Sequence, residues 1–155
     1  MFKLTENGKT FQDEWKMLAA TEAPEGVKLP VGPVIVPLSV WQARRAELIR
    51  REYDHGWPLG VWLAADESAE DIAKDLDDFT VIAIEFDRYG DGLGYSSART
   101  LRNRFGYGGE LRAFGDISDK VARLAHFGFD AFAPSPSLAR FSRPVQTVLV
   151  QREQA

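Results

Sequence analysis

Four arginines fall within fourteen positions of this chain: Arg99, Arg102, Arg104 and Arg112. Just before them Gly92, Leu93 and Gly94 lead into Tyr95, Ser96 and Ser97. Glycine-rich turns expose backbone N–H groups, a helix start carries partial positive charge, and guanidinium groups donate in pairs. Such a set can hold an anion, with Gly92, Gly94, Tyr95, Ser96, Arg99 and Arg102 as its members. Asp116 lies a few residues beyond and could serve there as acid, base or ligand. A structural reading competes: the glycines meet turn geometry, and Ser96 or Ser97 caps the next helix.

The arginines divide by spacing. Arg99 and Arg102 are three apart and share one helix face, whereas Arg104 falls on a solvated face. Arg112 alternates with Leu111 and Ala113, so it belongs to an apolar strand. A guanidinium there needs a carboxylate, and Asp116, Glu85 and Asp130 are the available partners in a structural ion pair.

Other chemistries are less well supplied. Asp87, Asp91 and Asp116 offer oxygen ligands, but their spacing specifies no cation, so no metal is expected. Gly92-Leu93-Gly94 begins a G-x-G-x-x-G pattern that ends on Ser97 and starts several residues after its strand, so neither nicotinamide nor flavin is expected. His55 and His126 are too far apart to suggest a zinc site or a nucleophile triad. Trp15, Trp41, Trp57 and Trp62 read as core or partner-surface aromatics.

Positioning these side chains requires a particular order of elements. FKLTENGKTF predicts a small N-terminal hairpin turning at Asn7-Gly8. A Pro/Gly-rich connection follows, from Glu22 to Pro33. Strands are predicted at 33–38, 60–64, 80–86, 110–114 and 129–133. Between them run helices: one capped by Ser39 with Trp41, Leu48 and Ile49 as its stripe, and one opened by Ser68 and Asp71 and running to Leu76. Two more run from Ser96 to Phe105 and from Asp116 or Ser118 to Gly128. The fold class is α/β, with alternating βα units on a mostly parallel sheet, either open or a partial barrel. The tail adds an edge strand at Thr147–Val150. The organisation is one domain over 1–155: hairpin and linker at 1–32, βα core at 33–133, tail at 134–155.

Composition narrows the function classes. The chain has 155 residues, no Cys and a formal net charge of -4. Without Cys there is no disulfide, thiolate chemistry or Cys-ligated metal, and a reducing, cytoplasmic setting fits. No apolar run suits a membrane span, and no signal peptide is evident at the start. Residues 1–87 carry 9 basic and 17 acidic side chains, and residues 88–155 carry 10 and 6. A cationic second half suits an anionic ligand or an acidic partner. The acidic total argues against nucleic acid. The oligomeric state stays open, with a homodimer among the expected forms.

Several uncommon words occur in order: Asp91-Gly92-Leu93-Gly94-Tyr95-Ser96, then Ala98-Arg99 and Leu101-Arg102, Gly109-Glu110-Leu111-Arg112-Ala113, Gly115-Asp116, and Gly128-Phe129-Asp130-Ala131-Phe132. With NGKTFQDEW near the start, they resemble a bacterial family known as a probable oxidoreductase of sulfite reduction, domain of unknown function 934. The resemblance runs from about Val34 to Ala133. Leu93 stands where the family usually has Arg, and Ile117-Ser118-Asp119-Lys120-Val121 departs from the usual V-L-R-D-Q-L. The resemblance implies a role in sulfur assimilation, because members lie beside genes for a haem-containing sulfite reductase. The expected function is an accessory protein of assimilatory sulfate and sulfite reduction that acts with sulfite reductase. The alternative is an enzyme acting on a small anionic substrate held by loop 91–97 and Arg99.

Overall fold

The computed structural model describes the backbone of residues 2–6, 9–12, 14–87, 93–134 and 145–149, and side chains within 14–87 and 93–133. The strands are β1 (Phe2–Glu6), β2 (Lys9–Gln12), β3 (Lys16–Met17), β4 (Val34–Pro37), β5 (Leu59–Leu63), β6 (Val81–Phe86), β7 (Glu110–Gly115), β8 (Ala131–Pro134) and β9 (Val145–Leu149). The helices are α1 (Leu38–His55), α2 (Gly94–Arg99) and α3 (Val121–His126). Two 3-10 turns, Ala69–Ile72 and Leu76–Asp78, join β5 to β6.

Strands β3 to β8 lie side by side in sequence order, and every neighbouring pair is parallel. They form an open, curled sheet with helices between strands, a half-barrel. Of the two architectures left open by the sequence, this is the partial barrel. Sequential order with one crossover hand sends every connection to the same face. The two faces therefore differ in what covers them. On the helical face, Val61, Ile82, Ile84 and Leu111 pack with Trp41, Leu101 and Leu124. The opposite face carries the alternate residues of the same strands, among them Ile35, Trp62, Ala83 and Phe114.

The N-terminal hairpin is present as antiparallel β1 and β2; its turn, Asn7-Gly8, lies outside the described residues. The tail strand is not at an edge as expected. β9 pairs parallel with β1 and antiparallel with β8, which joins the hairpin to the half-barrel. Strand pairing over such a distance leaves no local signal. β3 was not expected either, being only two residues long.

The helices depart from expectation for identifiable reasons. Ser39 does not cap α1: Pro37 occupies that position with extended backbone and no side-chain hydrogen bond. Ile49 leaves the expected stripe and is 40 % exposed, because it sits one residue, about 100° of helix turn, beyond buried Leu48. The Ser68–Asp71 capping box forms, but no α-helix follows. A 3-10 turn takes its place, and at Asp75 the backbone leaves helical geometry with φ -117°, while the Asp75 carboxylate accepts from Trp41 Nε1 at 3.1 Å and pairs with Arg45, both on α1.

α2 begins at Gly94, so neither Ser96 nor Ser97 is its cap. It continues as a π-helical turn over Thr100–Arg104, where Phe105 N donates to Thr100 O at 2.9 Å. α3 starts at Val121, later than the expected Asp116 or Ser118, and Gly128 ends it with φ 104°. Among the described residues, no helix is long and apolar enough to cross a membrane.

Candidate functional site

Loops after parallel strands converge at the strands' carboxyl ends, where open α/β sheets bind ligands. Here the ends of β5, β6 and β7 are knitted together by hydrogen bonds. Leu93 N donates to Ala65 O at 3.4 Å, and Asp116 N donates to Phe86 O at 2.9 Å. Ser97 is buried, and its hydroxyl accepts from Ala69 N at 3.2 Å.

This rim is acidic. Glu67 follows β5 and accepts from Ala64 N at 2.7 Å. Glu85 lies near the end of β6 and accepts from Ala65 N at 3.4 Å. It follows Ala83 on the face opposite the helices, by strand alternation. Burial pushes both carboxyls above the ordinary glutamate value of 4.5, and the backbone hydrogen bonds only partly offset it. Neighbouring charges push the same way: Asp87, Asp66 and Glu67 raise Glu85, and Asp66 and Asp71 raise Glu67. Two carboxyls biased toward their protonated forms can donate or take a proton. Asp116, at the end of β7, is exposed. Among the described residues, no group of three acidic or histidine side chains is placed to hold a metal ion.

Glu67 was missed by sequence reasoning, and Glu85 was noted only as a partner for Arg112. The signals were modest: a charge inside the apolar run Val81–Phe86, and Asp66-Glu67 directly after a buried strand.

The expected anion-site residues are dispersed. Gly92 and Asp91 lie outside the described residues. Gly94 is set by packing: a Cβ there would lie 2.5 Å from Phe86 Cζ. Ser96 is exposed and donates to Leu93 O at 3.0 Å. Tyr95 is buried, with its ring against Phe86 and Phe127, and its hydroxyl has no hydrogen-bond partner among the described residues.

Arg102 is committed inside the fold. Its Nε donates to Gly128 O, its Nη1 to Tyr107 O and Gly109 O, and its Nη2 to Gly128 O and Asp130. The guanidinium's donors thus tie three chain segments together. Asp130 Oδ2 also accepts from Leu111 N at 2.9 Å. Arg112 is the expected buried ion-pair residue, and it pairs with Glu110, a carboxylate outside the three expected candidates. Residues two apart in a strand share a face, which puts Glu110 beside Arg112. Arg104 is exposed and pairs with Glu70 at 2.9 Å.

Two arginines remain. Arg99 and Arg123 are exposed and have neither an ion pair nor a hydrogen bond among the described residues. Both adjoin Tyr95: Arg99 stands one turn along α2, and the Arg123 guanidinium carbon lies 4.8 Å from the ring centroid. The site thus separates its charges, with carboxyls at the rim and outward cations on α2 and α3.

No curated protein and no solved structure matches the chain. The family model described as bacterial protein of unknown function (DUF934) matches residues 60–148, which hold β5 to β8, the acidic rim and Arg99 and Arg123. Over more than half its length, therefore, the chain belongs to that bacterial family.

Proposed function

We propose that this protein is an accessory component of assimilatory sulfite reduction that acts with sulfite reductase, and that Arg99 and Arg123 form part of the contact. The observation that carries the contact is selective. Arg44, Arg45, Arg50, Arg102, Arg104 and Arg112 each pair with a carboxylate within the chain, and Arg51 donates to backbone carbonyls. Among the described arginines, Arg99 and Arg123 alone make neither an ion pair nor a hydrogen bond. Guanidinium groups without a carboxylate of their own suit an acidic patch on a partner, where they guide encounter and set orientation. The pathway itself rests on the family resemblance.

A deletion strain tests the pathway. Failure to grow on sulfate or sulfite, with growth on sulfide or cysteine, is the expected pattern. Equal growth on all four removes the assignment. Co-purification tests the contact: the native chain retains sulfite reductase, and the R99A/R123A double variant releases it at moderate salt. Retention unchanged by the double substitution dismisses these residues.

A second reading is favoured by Glu67 and Glu85. Two carboxyls biased toward protonation, beside Asp116 at the strand ends, suit proton transfer to a small anionic substrate. Arg99 would hold its charge. Under this reading, purified protein converts such a substrate with a pH profile that E85Q alters. Reductase-dependent activity alone supports the accessory role.

A further inference from the structure

The outer face of α1 carries apolar side chains that the fold does not use. Ala46, Ile49 and Tyr53 follow one another at spacings of three and four, the repeat of a helix–helix seam. Ile49 is 40 % exposed and Tyr53 89 % exposed. With Arg50 and Asp54 they line one shallow, mainly apolar depression. The opposite face of α1 is already spent, burying Trp41 and Leu48 against the sheet.

The charges identify what covers this seam. Arg50 and Asp54 are four residues apart and share one flank, with Arg50 Nε 3.6 Å from Asp54 Oδ2. An antiparallel two-fold pairing brings like flanks of the two helices together, so a patch must complement itself. Centred near Arg51, that pairing sets Ile49 of one copy across from Tyr53 of the other. Each Arg50 then comes within side-chain reach of the other copy's Asp54, twice per pair. Ala46, being small, lets the helix ends approach.

We infer that α1 is the interface of an isologous homodimer, with Ile49 and Tyr53 as its apolar seam and reciprocal Arg50–Asp54 ion pairs on its flank. This surface is separate from the α2–α3 arginines and stands whether or not the reductase contact does. Dimerisation through α1 leaves the carboxyl-end rim and Arg99 and Arg123 to other ligands.

Sedimentation equilibrium with the full chain tests it. The native protein is expected at twice the 17.3 kDa chain mass. R50D sets carboxylates against each other across the two-fold, and D54R does the same with guanidinium groups. Each variant alone is therefore expected to sediment as a monomer, with a native-like circular dichroism spectrum because both positions are solvent-facing. An equimolar mixture of R50D and D54R restores opposite charges at both contacts and is expected to return to the dimer mass. Y53E, which places charge in the seam, is expected to be monomeric alone and in mixtures. A monomeric native protein, a dimer that survives R50D and Y53E, or a mixture that stays monomeric overturns the inference.

Discussion

Arg102 Nη2 lies 2.6 Å from Asp130 Oδ2, and the same oxygen accepts the amide of Leu111. This pair connects the π-turn after α2 to the start of β7 and to the segment entering β8. Both side chains are largely buried, at 14 % and 18 % exposed. Removing one partner strands the other charge, which costs far more than an exposed pair is worth. R102A is therefore expected to lose about 3 kcal/mol of stability. R102K is expected to rescue little, because an ammonium cannot reproduce the planar fork. Urea unfolding measures both. An R102A variant as stable as the native protein would contradict the staple role.

The outward arginines predict the opposite behaviour. R99A is expected to change unfolding free energy by no more than about 0.5 kcal/mol, as surface substitutions do, and R123A, which also gives up its place over the Tyr95 ring, by no more than about 1 kcal/mol. Their effect belongs to binding, and added salt should mimic it in the native protein. A large loss of stability in either variant would show that the side chain is engaged within the fold.

Gly94 should tolerate no side chain while Phe86 keeps its place. G94A drives a methyl against the ring and is expected to cost about 1–3 kcal/mol, the range for overpacking. F86L opens the space, so F86L/G94A should lose less than the sum of the two single variants. Strict additivity in a double-mutant cycle would count against this contact.

Glu85 and Glu67 give a signed pH dependence. Their carboxyls are raised above 4.5 in the folded chain, chiefly by burial. The folded state then binds more protons than the unfolded state between the ordinary value and the raised one. Stability contributed by these groups falls as pH rises through that window and returns as pH falls. E85Q removes the ionisation while keeping an acceptor for Ala65 N. It is expected to stabilise the protein where native Glu85 is ionised and to flatten the fall of stability as pH rises above the ordinary glutamate value of 4.5. Chemical unfolding across that range checks it, and a parallel shift of the native curve would refute it.

Local pattern determined much of this protein. Runs of β-branched and apolar residues marked β4 to β8, because parallel strands buried on both faces need little else. The Ser68–Asp71 box and the stop at Gly128 are written in neighbouring residues. So is the burial of Arg112, since alternation alone puts it on an apolar strand. The family words between Asp91 and Phe132 were legible for the same reason, as they are strings.

Tertiary structure decided what depends on partners distant in sequence. The sequence placed Arg99 and Arg102 together on a helix; only the arrival of Asp130, Gly128 and Gly109 around Arg102 separates a staple from an outward cation. Asp75 is buried because Trp41 and Arg45 bond its carboxylate, from more than thirty residues away for Trp41. Pairing with β1 and β8 moved β9 from an edge into the sheet. Burial at the meeting of three loops made Glu67 and Glu85 unlike the exposed carboxylates around them. A chain's types and spacings fix which groups are available, but the free energy of each buried charge depends on what the fold brings beside it.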